Sequence, residues 1–248
     1  MRKLLSLLVL GLGLTVSGQT RSDTLLVAVA ANFAGTMEEL AVEFNRQSGH
    51  TLRLTSASSG VQYAQILNGA PFDLFFSADT ERPRLLEQQG KIVAGTRFTY
   101  AIGQLVLWSA DPERVDAQGE VLRRGDFRRI AVADFATAPY GFAARQVLEK
   151  LGLLDVMQDK LVTGTNISQA WQFVATGAVP LGFVAYSQLQ DPQNRRDGSA
   201  WLVPAELYDP IAQQAVLLKD SAVARQFLDF YHSAEARRIV EAYGYLLP

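Results

Sequence analysis

Four short stretches pair groups that could hold an anion with the local signs of a helix start. They centre on Asn32, Ser59, Tyr140 and Ile167 in a chain of 248 residues. Across 29–35, 56–62, 137–143 and 165–171 there is no Lys, Arg, Asp, Glu or His. A helix start presents unpaired main-chain N–H groups and a partial positive charge, so it favours anions. An anion at these turns would be held by N–H groups, hydroxyls and an amide, not by ion pairs. About six charge-assisted hydrogen bonds, each at the low end of ~1.5 kcal/mol, give roughly 9 kcal/mol, against the ~8 kcal/mol of micromolar binding.

A site of donors alone suits a tetrahedral dianion that carries no proton at neutral pH. Sulfate, molybdate and tungstate qualify, and phosphate, largely protonated once, fits less well. Each residue also has a plainer use. Asn32, Ser58 and Ser59 fit helix N-caps equally well. Tyr140 fits an aromatic between packed units, and the Ile167 side chain fits a core face. Asp73 and Asp79 read as turn or hinge residues.

The elements that must position these turns alternate strand and helix. Residues 24–30 (TLLVAVA) form a continuous apolar run of buried-strand type. Asn32 follows, and then Phe33, Met37, Leu40 and Phe44 recur at helical spacing up to Gly49. Residues 51–56 alternate as a second strand. Ser58-Ser59-Gly60 then opens a helix that Asn68-Gly69 stops. Residues 73–76 (DLFF) form a third strand, followed by Ser77-Ala78-Asp79 and a helix around 84–89. Short β-α-β links of this kind imply a parallel, doubly wound sheet. Extended segments at 98–101 and 105–108 mark a crossing into a second unit. There, Pro139 opens a helix after a strand at 129–133, and Asn166 precedes another closed by Gly177. Residues 213–218 read as the return, and two helices finish the chain.

Composition narrows the function classes. The net charge of −2 offers no general basic field for nucleic acid. The absence of Cys excludes disulfides, thiolate metal sites and a Cys nucleophile. His50 and His232 lie far apart in sequence. No GxSxG, histidine-paired Ser or carboxylate pair occurs at the turns, which argues against an enzyme. At the N-terminus, Arg2 and Lys3 precede an apolar run over 4–14 and then small residues, the pattern of a secretory signal peptide over 1–18. Its removal takes Arg2 and Lys3 with it and moves the charge from −2 to −4. No Cys follows the run, so a lipid anchor is not expected. Export without an anchor implies a periplasmic location.

VAANF (29–33, with Ala28 before it), ASSG (57–60), GAPFDLFFSAD (69–79), PYGFAA (139–144) and PLGFVA (180–185) stand in one order along the chain. Together with the helix after Asn166, they resemble the periplasmic molybdate-binding proteins of ABC importers. The resemblance covers nearly all of the chain after the signal segment. It implies an α/β, two-lobed periplasmic-binding-protein-like fold of type II, each lobe a mostly parallel sheet flanked by helices. The implied lobes are 19–102 with 210–248, and 103–209, joined by crossovers near 98–105 and 204–212. It also implies an oxoanion in the cleft, with the molybdate or tungstate oxygens held by Asn32, Ser59, and the main-chain N–H groups of Tyr140 and Ile167. Where some members carry a further Tyr ligand this chain has Ala185, and the Tyr140 hydroxyl is the expected compensation. The implied protein is a monomer with no cofactor and no enzymatic activity. It captures molybdate or tungstate and hands it to a membrane permease; a sulfate receptor of the same fold is the alternative.

Overall fold

The computed structural model describes residues 22–248; the expected signal peptide lies outside them. Two five-stranded sheets organise the chain. The first holds β1 (Thr24–Ala30), β2 (Thr51–Ala57), β3 (Leu74–Ser77), β4 (Phe98–Gly103) and β10 (Ile211–Leu217), in the order β2-β1-β3-β10-β4. The second holds β5 (Leu105–Ser109), β6 (Ile130–Ala133), β7 (Leu161–Gly164), β8 (Gly182–Ala185) and β9 (Ser199–Leu202), in the order β7-β6-β8-β5-β9. The helices are α1 (Ala34–Ser48), α2 (Ser59–Leu67), α3 (Glu81–Gln88), α4 (Val121–Arg124), α5 (Pro139–Lys150), α6 (Leu154–Met157), α7 (Ile167–Ala175), α8 (Tyr186–Gln190), α9 (Ala222–Tyr231) and α10 (Ala234–Ala242).

The two sheets repeat one plan. In each, a central strand (β1 or β6) pairs in parallel with a strand on either side. The strands that arrive from the other lobe, β10 and β5, then pair antiparallel. The sheets are therefore mixed: parallel where β-α-β links build them, antiparallel where the chain crosses over. A crossover strand enters from the far end of the sheet, and its direction follows from that. Only Gln104 separates β4 from β5.

Both central strands are almost wholly buried, which accounts for their unbroken apolar composition. In the first lobe the core is aromatic. The Phe33 ring packs edge-on against Tyr100 at 4.7 Å and Tyr245 at 5.1 Å, and Phe76 meets Tyr100 at 5.0 Å. Phe33 directly follows Asn32, so this packing fixes the turn that carries Asn32. In the second lobe, α5 starts hard against the end of β6. A Cβ on Gly141 would lie 2.3 Å from the Asp134 carbonyl oxygen and 2.5 Å from that of Ala133. Glycine here lets the helix N-terminus approach the strand end.

Gly141→Ala forces backbone atoms apart at that approach. We expect it to cost about 1–3 kcal/mol of stability, the range of overpacked sites, read as a lower midpoint in urea unfolding.

Candidate functional site

The four turns meet between the lobes. A small cavity is lined from the first lobe by Ala30, Ala31, Asn32, Ser58, Ser59 and Ala78, and from the second by Ala138, Pro139, Tyr140, Asn166 and Ile167. All four sequence-predicted residues line it, and none of the lining residues is charged. They are deeply buried: Asn32 is 5% exposed, Ser59 0%, Tyr140 1% and Ile167 3%. The enclosed space is only about 10 Å³, far below that of pockets that hold organic ligands.

The topology places the turns there. Asn32 follows β1 and α2 follows β2, while Tyr140 and Ile167 open helices that follow β6 and β7. These are the carboxyl ends of parallel strands, where open α/β sheets bind ligands. Asn32 sits in a 3-10 turn, Ala31–Phe33, that leads into α1. Four helix N-terminal regions thus converge on one small volume, and their partial positive charges add.

Local chemistry keeps donors free. Pro139 occupies the first turn of α5 and has no N–H, so Tyr140 leads that helix's donors. Asn166 caps α7 with its own side chain, accepting from the Gln169 N–H at 3.0 Å. Asn166 is thus a true side-chain cap, whereas the residues expected as caps make no such bond. Neither Asn32 nor Ser58 makes a side-chain cap bond. The Ser59 hydroxyl oxygen accepts from the Ala78 N–H at 2.9 Å, which leaves its proton to give. The Ser58 hydroxyl is buried with no protein partner. An unpaired buried hydroxyl is costly and calls for an explanation. Sequence reasoning took Ser58 only as a cap; its neighbour in the ASSG run was the available signal.

Two side chains behave differently from expectation. The Asn32 amide nitrogen donates to Gln213 Oε1 at 2.8 Å and to the Tyr245 hydroxyl at 2.9 Å, so both its protons are engaged by protein. The Tyr140 phenol reaches past the cavity wall. Its hydroxyl lies 2.1 Å from where a Cβ on Gly103 would be, and Gly103 does not line the cavity. The ring needs apolar room, and a glycine at the end of β4 provides the slot. Burial pushes the phenols of Tyr100, Tyr140 and Tyr245 well above the ordinary range, so they are neutral at physiological pH.

The lobes are closed on each other. The Gly60 N–H donates to the Thr137 carbonyl at 2.9 Å, and Arg82 Nη2 donates to the Ala136 carbonyl at 3.0 Å. Ser168 Oγ donates to the Ala31 carbonyl at 3.1 Å, and Ser187 Oγ to the Asn32 carbonyl at 3.0 Å. Arg82 is the cation at this rim, and Asp79 pairs with it.

The profile of the bacterial extracellular solute-binding proteins matches residues 25–246. The chain belongs to that family. It is 47% identical over 242 residues to the molybdate-binding protein ModA of Rhodobacter capsulatus, covering 96% of this chain and 93% of that one. It is likewise 47% identical over 239 residues to ModA of Azotobacter vinelandii, covering 95% and 94%. The solved Azotobacter vinelandii periplasmic molybdate-binding protein superposes with a TM-score of 0.87 at 48% identity, over 90% of this chain and 99% of that one. The two-lobed α/β fold expected from the sequence is thereby established, as is membership of a family of binding proteins rather than enzymes. Among the described residues, no helix is long and apolar enough to cross a membrane.

Asp134 shapes the loop that carries Thr137. Its Oδ1 accepts from the Thr137 hydroxyl at 2.8 Å and from the Thr137 and Ala136 N–H groups. The Thr137 hydroxyl, with these N–H groups, holds the carboxyl below its ordinary range. A lowered folded value means the contribution is present at neutral pH and is lost as pH falls below about 4. The Asp134→Asn variant should lose less melting temperature than the parent between about pH 6 and pH 3, measured by differential scanning calorimetry.

Proposed function

We propose that the cavity is an oxoanion cage and that the protein captures molybdate, with tungstate as a near-equivalent, for a membrane permease of an ABC importer. The observation that carries this reading is the wall itself: a small, buried volume at four helix starts with no charged residue among those that line it. Identity of 47–48% to proteins named for molybdate binding supports molybdate over other dianions.

In this reading Ser59 donates its hydroxyl proton, and Ser58 adds a second hydroxyl. Tyr140 and Ile167 donate main-chain N–H groups from the opposite lobe. Asn32 also serves through its main-chain N–H, because its amide nitrogen is already engaged. The absence of a carboxylate at the wall favours a fully deprotonated tetrahedral anion, since a carboxylate would repel it. No cofactor is called for, and one chain suffices, because both halves of the cage come from it. Export through the N-terminal segment over 1–18 would put the receptor in the periplasm, where the permease is reached from outside.

Calorimetric titration of the protein cleared of anion tests this. We expect tight one-to-one binding of molybdate and tungstate, with sulfate and phosphate much weaker. Ser59→Ala should weaken molybdate binding by roughly 10- to 100-fold, the value of one charge-assisted hydrogen bond. Equal affinity for sulfate would keep the cage and overturn the choice of molybdate. No heat and no rise in melting temperature with any oxoanion would overturn the cage.

A further inference from the structure

Behind the cavity wall lies a buried polar cluster that no anion ligand requires. Gln213, on β10, is fully buried. Its Oε1 accepts from the Asn32 amide at 2.8 Å and from the Tyr100 hydroxyl at 2.9 Å. Two donors on one oxygen fix which way the Gln213 amide faces. Its Nε2 therefore turns to the far side, where it has no hydrogen-bond partner. The Tyr140 hydroxyl is also buried and without a partner. These two orphans stand at the same place: a Cβ on Gly103 would lie 2.7 Å from Gln213 Nε2 and 2.1 Å from Tyr140 Oη. Gln213, Asn32, Tyr208 and Tyr245 are the polar side chains around the phenol. Buried polar groups without partners are rare, and two that face each other are complementary: an amide donor and a phenol that both accepts and donates.

The members belong to different lobes. Asn32, Tyr100 and Gln213 are in the first sheet's lobe, while Tyr140 opens α5 in the second. We propose that Gln213 is a positioning residue that latches the lobes shut, by donating through Nε2 to the Tyr140 hydroxyl in the slot left by Gly103. The phenol proton is then free for the remaining acceptor on the Asn32 side chain. A ring of Asn32, Gln213 and Tyr140 ties a cage residue of one lobe to a cage residue of the other. The Tyr140 hydroxyl thus holds the closed state and is not an anion ligand. This inference rests on the cage reading of the preceding section, and it adds residues that line no part of the cavity.

A latch acts on escape of the guest, because the contact forms only when the lobes are shut. The test is exchange of radiolabelled molybdate from Tyr140→Phe, Gln213→Leu and the double variant, with association measured separately. Tyr140→Phe should raise the off-rate roughly three- to tenfold, as expected for one buried neutral hydrogen bond, and Gln213→Leu, which also removes the acceptor of Asn32 and Tyr100, by at least as much. The double variant should release molybdate no faster than Gln213→Leu alone, since Tyr140→Phe then removes a contact already lost. Gly103→Ala, which places a methyl in the slot, should release at least as fast. Off-rates that multiply in the double variant would overturn the latch and return the hydroxyl to the anion. A parental off-rate in Tyr140→Phe would also overturn it. Parent protein that retains no molybdate would overturn the cage reading itself, and the latch with it. Tyr140→Phe removes a single oxygen that is unpaired in the structure, so the test does not depend on Gly103→Ala folding.

Discussion

The molecule is organised by bringing four helix starts together in one buried place, three of them without a side-chain cap. Each start would ordinarily be satisfied by water or by a capping side chain. Here the caps are withheld at Asn32 and Ser58. Proline removes one donor at α5. The only side-chain cap among the four is Asn166, which satisfies the Gln169 N–H and leaves the group at Ile167 available. Buried donors without acceptors are unfavourable, so the closed form demands a guest that brings acceptors on all sides. A tetrahedral oxoanion meets that demand, and a cation or an apolar solute does not. The absence of charge at the wall serves the same end. In the proposed cage, donors that cannot change protonation would hold a dianion without a competing carboxylate and without a salt bridge that would have to be desolvated.

The two-lobed architecture supplies the geometry. Each lobe places its two uncharged turns at the carboxyl ends of neighbouring parallel strands, β1 and β2 in one and β6 and β7 in the other. Because the sheets follow one plan, facing the lobes brings equivalent ends together. The antiparallel strands β10 and β5 are the mechanical link, since each continues from a strand of the opposite lobe. Bonds across the rim, such as Gly60 to Thr137 and Ser168 to Ala31, are main-chain or short side-chain contacts that need close approach. They form only when the lobes meet.

Asn32 is the point where these levels join. The Phe33 ring anchors its turn in the first lobe's core. Its carbonyl accepts from Ser187 of the second lobe and from Tyr245 at 2.8 Å near the chain's end. Its amide nitrogen holds Gln213 and Tyr245. The residue is therefore a fixed corner, held through both its side chain and its carbonyl. A change there would disturb the core, the interface and the cage together.

The sequence by itself determined the elements and the four turns. Apolar runs and helical spacing located the strands and helices, because burial on both faces and on one face leave different periods. Uncharged turns at Asn32, Ser59, Tyr140 and Ile167 marked a candidate anion site, because charge is visible in composition without any fold. Only the tertiary structure decided where the side chains of those turns went. The Asn32 amide is committed to Gln213, 181 positions away, and the Tyr140 hydroxyl to a slot at Gly103. The pairing of β10 beside β3 likewise joins segments that are distant in the chain. Local pattern specifies what a segment can form. Long-range packing selects its partner, because a polar group inside a protein takes whichever complementary group the fold brings within hydrogen-bond reach.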